Sequence, residues 1–240
     1  MSRYDYGFAP YVSVAEKKAK AERQIAKLRK KNPNLAPVVI QGRTLAASWW
    51  GKSWNRNLES YADYENRIAR GKSYVRNSAV LDLQIEKGHV SALVQGSTSR
   101  PYSVDVVIDT LDPKRWKEIV KLCNYQIDSV EKLALGQFPA DLEVLFQERK
   151  YGLFPSPKEI HFTCSCPDYA YMCKHVAAVL YGVGARLDAD PLLFFTLRGV
   201  EIQDLIRRSV EKRMESMLKN ARKKSGRAIS DGEVHDLFGI

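Results

Sequence analysis

The sequence predicts an α+β fold in which a small antiparallel β-meander packs against helices, with a compact cysteine-containing segment and further helices after it. Three observations carry this prediction. Apolar residues alternate with other residues between positions 79 and 108, as they do in half-buried strands. Apolar residues recur at helical spacing in 112–149 and again in 200–219. Three of the four cysteines fall within ten residues, directly before an apolar run.

Charge is distributed unevenly along the 240 residues. Residues 1–35 carry a net charge of +6 and residues 206–227 carry +7, so the rest of the chain carries −3 of the total of +10. Basic segments attract polyanions through counterion release, and we therefore expect nucleic acid, DNA in the first place, as a partner. Solvated helix faces are the alternative explanation of such segments.

The chain contains no apolar stretch of 18 residues, which argues against a membrane span, and we expect no membrane among its partners. The start at residues 1–6 lacks the apolar core of a secretory signal. We therefore expect a cytoplasmic protein.

The first element is a basic helix at 15–31, which Pro33 and Pro37 end. Its weak apolar face predicts an arm that becomes ordered on binding. The candidate nucleic-acid contacts on this arm are Lys17, Lys20, Arg23 and Lys27.

Three tryptophans lie within residues 49–54, and Trp50 and Trp54 share one helical face. We expect them to anchor the core, and a base-stacking surface is the alternative. Residues 67–76 follow as a predicted basic loop. Its candidate phosphate contacts are Arg70, Lys72 and Arg76, although solvated loop cations would have the same pattern.

The meander has predicted strands at 81–85, 90–94 and 104–108, joined by a tight turn at 87–89 and a longer link at 96–101. Asp112 and Pro113 then begin a helix, whose apolar face includes Trp116 and Ile119. Cys123 continues that face and is expected to be a buried hydrophobe. A second short helix is predicted after 136–139.

The segment that carries the chemistry contains Cys164, Cys166, Cys173 and His175, two pairs with i, i+2 spacing. In an extended strand the first pair faces one side, and the second pair lies where an apolar helix begins. Three sulfurs and one imidazole complete the closed tetrahedron of structural Zn²⁺, and such a site leaves no position for an activated water. His161 has the opposite strand parity to Cys164 and should point away.

A thiol redox pair is the alternative, but it needs neither a third cysteine nor a histidine in register. Zn²⁺ with three thiolates carries a charge of −1, which Lys174 and the backbone amides at the helix start would offset. Replacing Cys173 or His175 is predicted to release the metal and unfold residues 159–196. The sequence contains no glycine-rich phosphate loop, nucleophile elbow or catalytic acid pair, so we expect no enzyme activity.

This ligand pattern, followed directly by an apolar helix, resembles the SWIM zinc finger. The tryptophan cluster at 49–54, the basic segment at 70–76 and the stretch at 190–199 extend the resemblance to bacterial SWIM proteins over about residues 44–218. It implies a zinc ligand and a role in binding DNA or protein. Members occur in Swi/Snf-type helicase-like ATPases and in Mutator-like transposases, and free-standing bacterial members resemble companions of such ATPases.

These observations divide the chain into a basic arm (1–37), an α+β domain (38–150), a SWIM zinc finger (151–200) and an amphipathic helix with a basic tail (201–240). The tail adds Arg222, Lys223 and Lys224 as candidate nucleic-acid contacts. The apolar stripe of the helix predicts either core packing or docking on a partner. A protein-interaction adaptor for a Swi/Snf-type ATPase, without direct nucleic-acid binding, is the alternative function.

Overall fold

The computed structural model describes residues 12–60, 65–122, 148, 152–168 and 170–221. Its helices, numbered in chain order, are α1 (Val14–Arg29), α2 (Trp49–Glu59), α3 (Glu65–Arg76), α4 (Pro113–Leu122), α5 (Lys174–Ala189), α6 (Leu193–Arg198) and α7 (Ile202–Ala221). Its strands are β1 (Val80–Glu86), β2 (His89–Val94), β3 (Tyr102–Ile108) and β4 (Ile160–Cys164). The predicted α+β class is confirmed.

The four strands form one antiparallel sheet in the order β1-β2-β3-β4. The predicted three-stranded meander is present, and β4, from the cysteine-containing segment, extends it. Val90, Val106 and Phe162 lie side by side across three strands, and this face turns toward the core. On the outer edge of β1, the amide of Val38 donates to the carbonyl of Val80 (3.0 Å), so residues 36–38 cover that edge.

Helix α5 lies at the centre of the core and packs against the sheet, α2 and α3. Its residues from Val176 to Leu180 are at most 1% exposed. Trp50 and Trp54 are buried, and the Trp54 indole N–H donates to the carbonyl of Leu180 at 2.7 Å. These two tryptophans are therefore core anchors, as predicted, and offer no surface for stacking a base.

The predicted loop at 67–76 is wrong, because these residues form most of helix α3. Ile68 and Val75 are buried on the face that meets α5, seven residues apart and thus two helical turns. The four cations of the segment occupy the other faces and hide this pattern in the sequence. Gly71 lies at the closest approach of the two helices, where a Cβ would come within 2.6 Å of the Ala177 Cβ.

Gly71→Ala is expected to destabilise the protein by about 1–3 kcal/mol, although alanine is the better helix former. The added methyl group would also lie 2.9 Å from the backbone carbon of Ala177, which cannot rotate away. Urea unfolding of this variant beside Ser73→Ala, at an exposed position of the same helix, measures the effect. Equal stability of both variants would show that the α3–α5 contact is looser than described.

The C-terminal helices pack on the far part of the core. The Asp112 carboxylate caps α4 by accepting from the amides of Lys114 and Arg115, as the predicted capping requires. The Trp116 indole N–H donates to Asp204 of α7 at 2.9 Å. Cys123 and the second predicted short helix lie outside the described residues.

The predicted apolar stripe of helix α7 has a buried part and an exposed part. Ile202 and Leu205 are buried, whereas Val210, Met214, Met217 and Leu218 are exposed. Among the described helices, none is long and apolar enough to cross a membrane. The division of the chain into four segments stays a prediction, and one hydrophobic core contains residues from both 38–150 and 151–200.

Candidate metal centre and basic cleft

The first ligand pair lies at the end of β4. Cys164 is the last residue of the strand and pairs with Val104 on β3. Ser165 continues the contact, because its amide donates to the carbonyl of Ser103 at 3.0 Å. Cys166 lies beyond the strand in a bend, so the expectation that both cysteines lie on one extended strand is wrong. The bend at 165–167 gives the chain its turn back toward α5.

A salt bridge fixes the loop between the two ligand pairs to α3. The Arg67 guanidinium donates two hydrogen bonds to the Asp168 carboxylate, at 2.9 and 3.2 Å. Such a bidentate pair fixes orientation as well as distance. Met172 is 2% exposed and anchors the other end of the loop in the core. This salt bridge was not predicted, because residues 67–76 were expected to form a loop and only the fold brings Arg67 beside Asp168.

The second ligand pair lies at the start of α5, as predicted. Cys173 is the N-cap residue with extended backbone angles, and its carbonyl accepts from the Ala177 amide at 3.0 Å. His175 lies in the first turn and is 2% exposed. The change from extended to helical backbone between them turns both side chains toward the end of β4.

The four donor atoms converge within 4.8 Å of one another. The His175 Nδ1 atom lies 3.9 Å from the Cys164 sulfur and 3.8 Å from the Cys173 sulfur. A tetrahedron with Zn–S of about 2.3 Å and Zn–N of about 2.0 Å places sulfur and nitrogen about 3.5 Å apart and two sulfurs about 3.8 Å apart. The residues present therefore fit zinc in both donor type and spacing.

The thiols are close enough to share protons. The pKa of Cys173 is lowered to about 3, chiefly because the Cys164 thiol donates a hydrogen bond to it, with His175 and the Val176 amide acting in the same direction. The pKa of Cys164 is raised, because its proton is held in that hydrogen bond and because the group is partly buried. A thiolate at the first turn of α5 also benefits from the positive end of the helix dipole.

Aromatic rings hold the His175 imidazole in place. The Tyr102 ring lies 4.7 Å and the Tyr74 ring 5.2 Å from the imidazole, centroid to centroid. The Nε2 atom is buried and makes no hydrogen bond within the described structure. A Cβ on Gly96 would lie 3.3 Å from it and 2.3 Å from the Tyr102 ring, so only glycine fits there. These flanking residues were not predicted, since they come from distant parts of the chain.

The arrangement is that of a closed structural metal site. All four positions of a tetrahedron are filled by protein, so nothing in it presents a bound water to a substrate. His161 is exposed on β4 and lies outside the ligand group, as its parity predicts. The fold and the site thus define a zinc-binding domain in which the metal joins β4 to α5.

Comparison with known proteins specifies this domain further. The family model of the SWIM zinc finger matches residues 161–183, which contain β4 almost entirely, the ligand loop and the first turns of α5. This part of the chain is a SWIM zinc finger, and its cofactor is zinc.

A longer likeness is to "Uncharacterized protein Rv2102" of Mycobacterium tuberculosis, which is 37% identical over 163 residues. That alignment covers 68% of this chain and 58% of the relative, so the chain spans less than two thirds of the relative's length. No solved structure matches the chain significantly.

The cations that were predicted to contact nucleic acid differ in their partners and in their exposure. Lys20 donates to the carbonyls of Gly96, Ser97 and Thr98, and Lys72 pairs with Glu59 at 2.8 Å. These two lysines therefore have structural partners. Arg23 donates to a carbonyl of its own helix, whereas Lys17 lines a cavity beside α1, and Lys27, Arg70 and Arg76 are exposed. Arg222, Lys223 and Lys224 lie outside the described residues.

A cleft of about 460 Å³ lies between α1, α3 and residues 40–43. Lys18, Arg43 and Arg76 line it, and none of the lining residues that the structure describes is acidic. These three cations make no ion pair with any residue that the structure describes. We call this surface the basic cleft. Of the three cations only Arg76 was predicted, because Lys18 and Arg43 belong to segments that only the fold brings beside α3.

Proposed function

We propose that this chain is a non-catalytic, zinc-stabilised protein that binds nucleic acid, DNA in the first place, along the basic cleft. The observation that carries the proposal is the convergence of Lys18, Arg43 and Arg76, from three separate segments, on one surface whose described lining residues include no carboxylate. Surfaces of this kind contact phosphates and release counterions. Three thiol ligands also suit a reducing compartment, so we place the protein in the cytoplasm.

The zinc finger supports the cleft indirectly. Helix α3 provides Arg76, and it is held by α5 on one side and by the Arg67–Asp168 salt bridge on the other. The salt bridge lies in the ligand loop that the metal closes, and α5 begins directly after that loop. The role of zinc is therefore to fix the elements that present the cations.

The double charge reversal Arg43→Glu/Arg76→Glu tests the proposal. We expect it to weaken binding to labelled DNA strongly and to reduce the slope of log K against log salt by roughly 1.5–2, because two phosphate contacts are lost. Fluorescence anisotropy at several salt concentrations, with single- and double-stranded DNA and RNA, measures both quantities. The matched control is Lys114→Glu/Lys158→Glu, which changes the charge equally at exposed positions outside the cleft.

If both double variants lost the same amount of affinity for DNA, net charge alone would drive binding and the basic cleft would not be the site. Binding that persists in both would point instead to the terminal segments. A version that lacks residues 222–240 keeps Lys18 on α1 and Arg76 on α3, so a loss of affinity in it would assign the binding to the C-terminal basic segment.

A second candidate function is favoured by the exposed apolar residues Val210, Met214, Met217 and Leu218 on α7. Exposed apolar stripes of this kind dock on protein partners. In this alternative the chain is an adaptor for a Swi/Snf-type helicase-like ATPase, and the zinc finger is its rigid scaffold. Stoichiometric binding to such an ATPase that tolerates salt, without DNA binding at near-physiological salt, would favour the adaptor.

A further inference from the structure

A second cavity of about 350 Å³ lies directly beside the basic cleft, between α1, the end of α3 and the link from β2 to β3. Ser73 and Asn77 line both spaces, so the cavity and the cleft share a rim. Its volume falls in the range of small-ligand pockets, which is roughly 300–1,000 Å³. Among the described residues, no acidic side chain lines either space.

The walls of the cavity combine apolar surface with an aromatic ring. Ala21 of α1 and Ala79 provide apolar wall, and Tyr74 provides the ring. Asn77 and Ser97 add polar side chains. A flat ring system with polar edges suits such walls, because an aromatic face stacks on any base and the polar groups face the edges.

We propose that the cavity receives one unpaired base of a single strand whose phosphates lie along the basic cleft. The inference rests on the proposed function and names its substrate class as single-stranded nucleic acid. The shared rim at Ser73 and Asn77 carries the step, since it allows the base and the phosphates of neighbouring nucleotides to be held at once. A duplex keeps its bases paired and stacked. Filling the cavity from a duplex would therefore cost the free energy of unpairing and unstacking one base.

The same proposal explains two features that phosphate binding alone does not. The Lys20 ammonium donates to three successive carbonyls of residues 96–98, at 3.1–3.3 Å, and thereby fixes the wall that Gly96 and Ser97 form. Tyr74 packs its ring against His175, so the zinc site holds the stacking residue in place. Lys20 thus shapes the cavity, and the zinc finger orders its aromatic wall.

The experiment compares wild-type protein with Ala21→Phe, which fills the cavity from α1, and with Ala26→Phe as the matched control at an exposed position of the same helix. Anisotropy titrations use one labelled strand, alone and fully paired with its complement. We expect wild type and Ala26→Phe to prefer the single strand by about tenfold or more, as one stacked base provides. Ala21→Phe is expected to lose this preference and to keep the weaker binding of the duplex.

A measurement on the wild type alone tests the proposal even if Ala21→Phe does not fold. The strand then carries one 2-aminopurine, whose fluorescence changes when the base leaves its neighbours and stacks on a tyrosine; a change saturating with binding supports the proposal. Equal affinity for single strand and duplex, with no fluorescence change, would overturn the cavity proposal and leave nucleic-acid binding standing. Failure of wild type to bind either form would overturn both.

Discussion

His175→Ala and Cys173→Ser are each expected to abolish stoichiometric zinc binding. The His175 Nδ1 atom lies within 3.9 Å of two ligand sulfurs, and both side chains are 2% exposed, so no other described residue replaces a lost donor. Structural zinc is coupled to folding, and the ligands left behind would include partly buried thiols close to one another without a cation. We therefore expect a large loss of stability in addition to the loss of metal.

The position of α5 in the core determines which residues should unfold when the metal is lost. The sequence predicted unfolding of residues 159–196 as a unit. In the structure, α5 forms the centre of the core against α2, α3 and the sheet, so it cannot unfold alone. We now expect local opening of the ligand loop at 165–173, together with a lower stability of the whole protein.

Metal analysis after dialysis gives the zinc content, and hydrogen exchange gives the extent of opening. His161→Ala is the matched control, because that histidine is exposed on β4 and lies outside the ligand group. Full zinc content in His175→Ala would disprove the four-ligand assignment. Loss of protection confined to α5, with an ordered ligand loop, would contradict the central position of that helix.

Features with a short-range origin could be predicted from the sequence. The four zinc ligands lie within twelve residues, and their spacing alone indicates a strand, a turn and a helix start. The meander was predictable because side chains alternate with a period of two and Gly88 provides the positive φ of its tight turn. Trp50 and Trp54 were predictable as core because they share a helix face.

Features that depend on the fold could not be predicted in the same way. The sequence of residues 67–76 indicates a loop, because only two apolar side chains mark the buried face of α3. The glycine that favours a loop in the sequence allows the close contact with α5 in the structure. Lys20 reads as a surface cation, yet its partners are 76–78 residues away in the chain. Arg43 has no local signal at all. Its proposed role depends on its lying in the same cleft as Arg76, which is a tertiary property.

Arg198→Met is expected to destabilise the protein by about 3 kcal/mol, the lower end of the cost of breaking a buried ion pair, because Glu159 is 22% exposed and keeps Arg115 at 3.7 Å. The Arg198 side chain is 0% exposed, and its guanidinium donates to the Asp109 carbonyl at 2.6 Å and to the Glu159 carboxylate at 2.7 Å. These bonds join α6 to the end of β3 and to the turn before β4. The pair therefore fixes the strand that carries Cys164, although it lies outside the zinc site.

The stability that the Arg198 ion pair contributes should depend on the carboxylate of Glu159 and on pH. Burial raises the pKa of Glu159, but hydrogen bonds from Arg198 and from the Ser156 amide outweigh it and leave that pKa below its ordinary value. A carboxyl group with a lowered folded-state pKa stabilises the protein above its unfolded pKa of about 4.3, and the contribution is lost as pH falls through the folded value. The stability difference between wild type and Glu159→Gln should thus be complete at pH 6 and shrink below about pH 4.

A double-mutant cycle with urea unfolding separates the pair from the rest of the core. Arg198→Met, Glu159→Gln and their combination are expected to show strong coupling, since the second substitution removes the carboxylate that the first one leaves without its buried partner. The matched control is Arg207→Met, whose side chain is 70% exposed and pairs with Asp204 on the surface; it should change stability by less than about 0.5 kcal/mol. Additive effects in the cycle would mean that Arg198 acts through its bond to the Asp109 carbonyl. The position of β4, and with it the first ligand pair, would then depend on a backbone contact and not on the charge of Glu159.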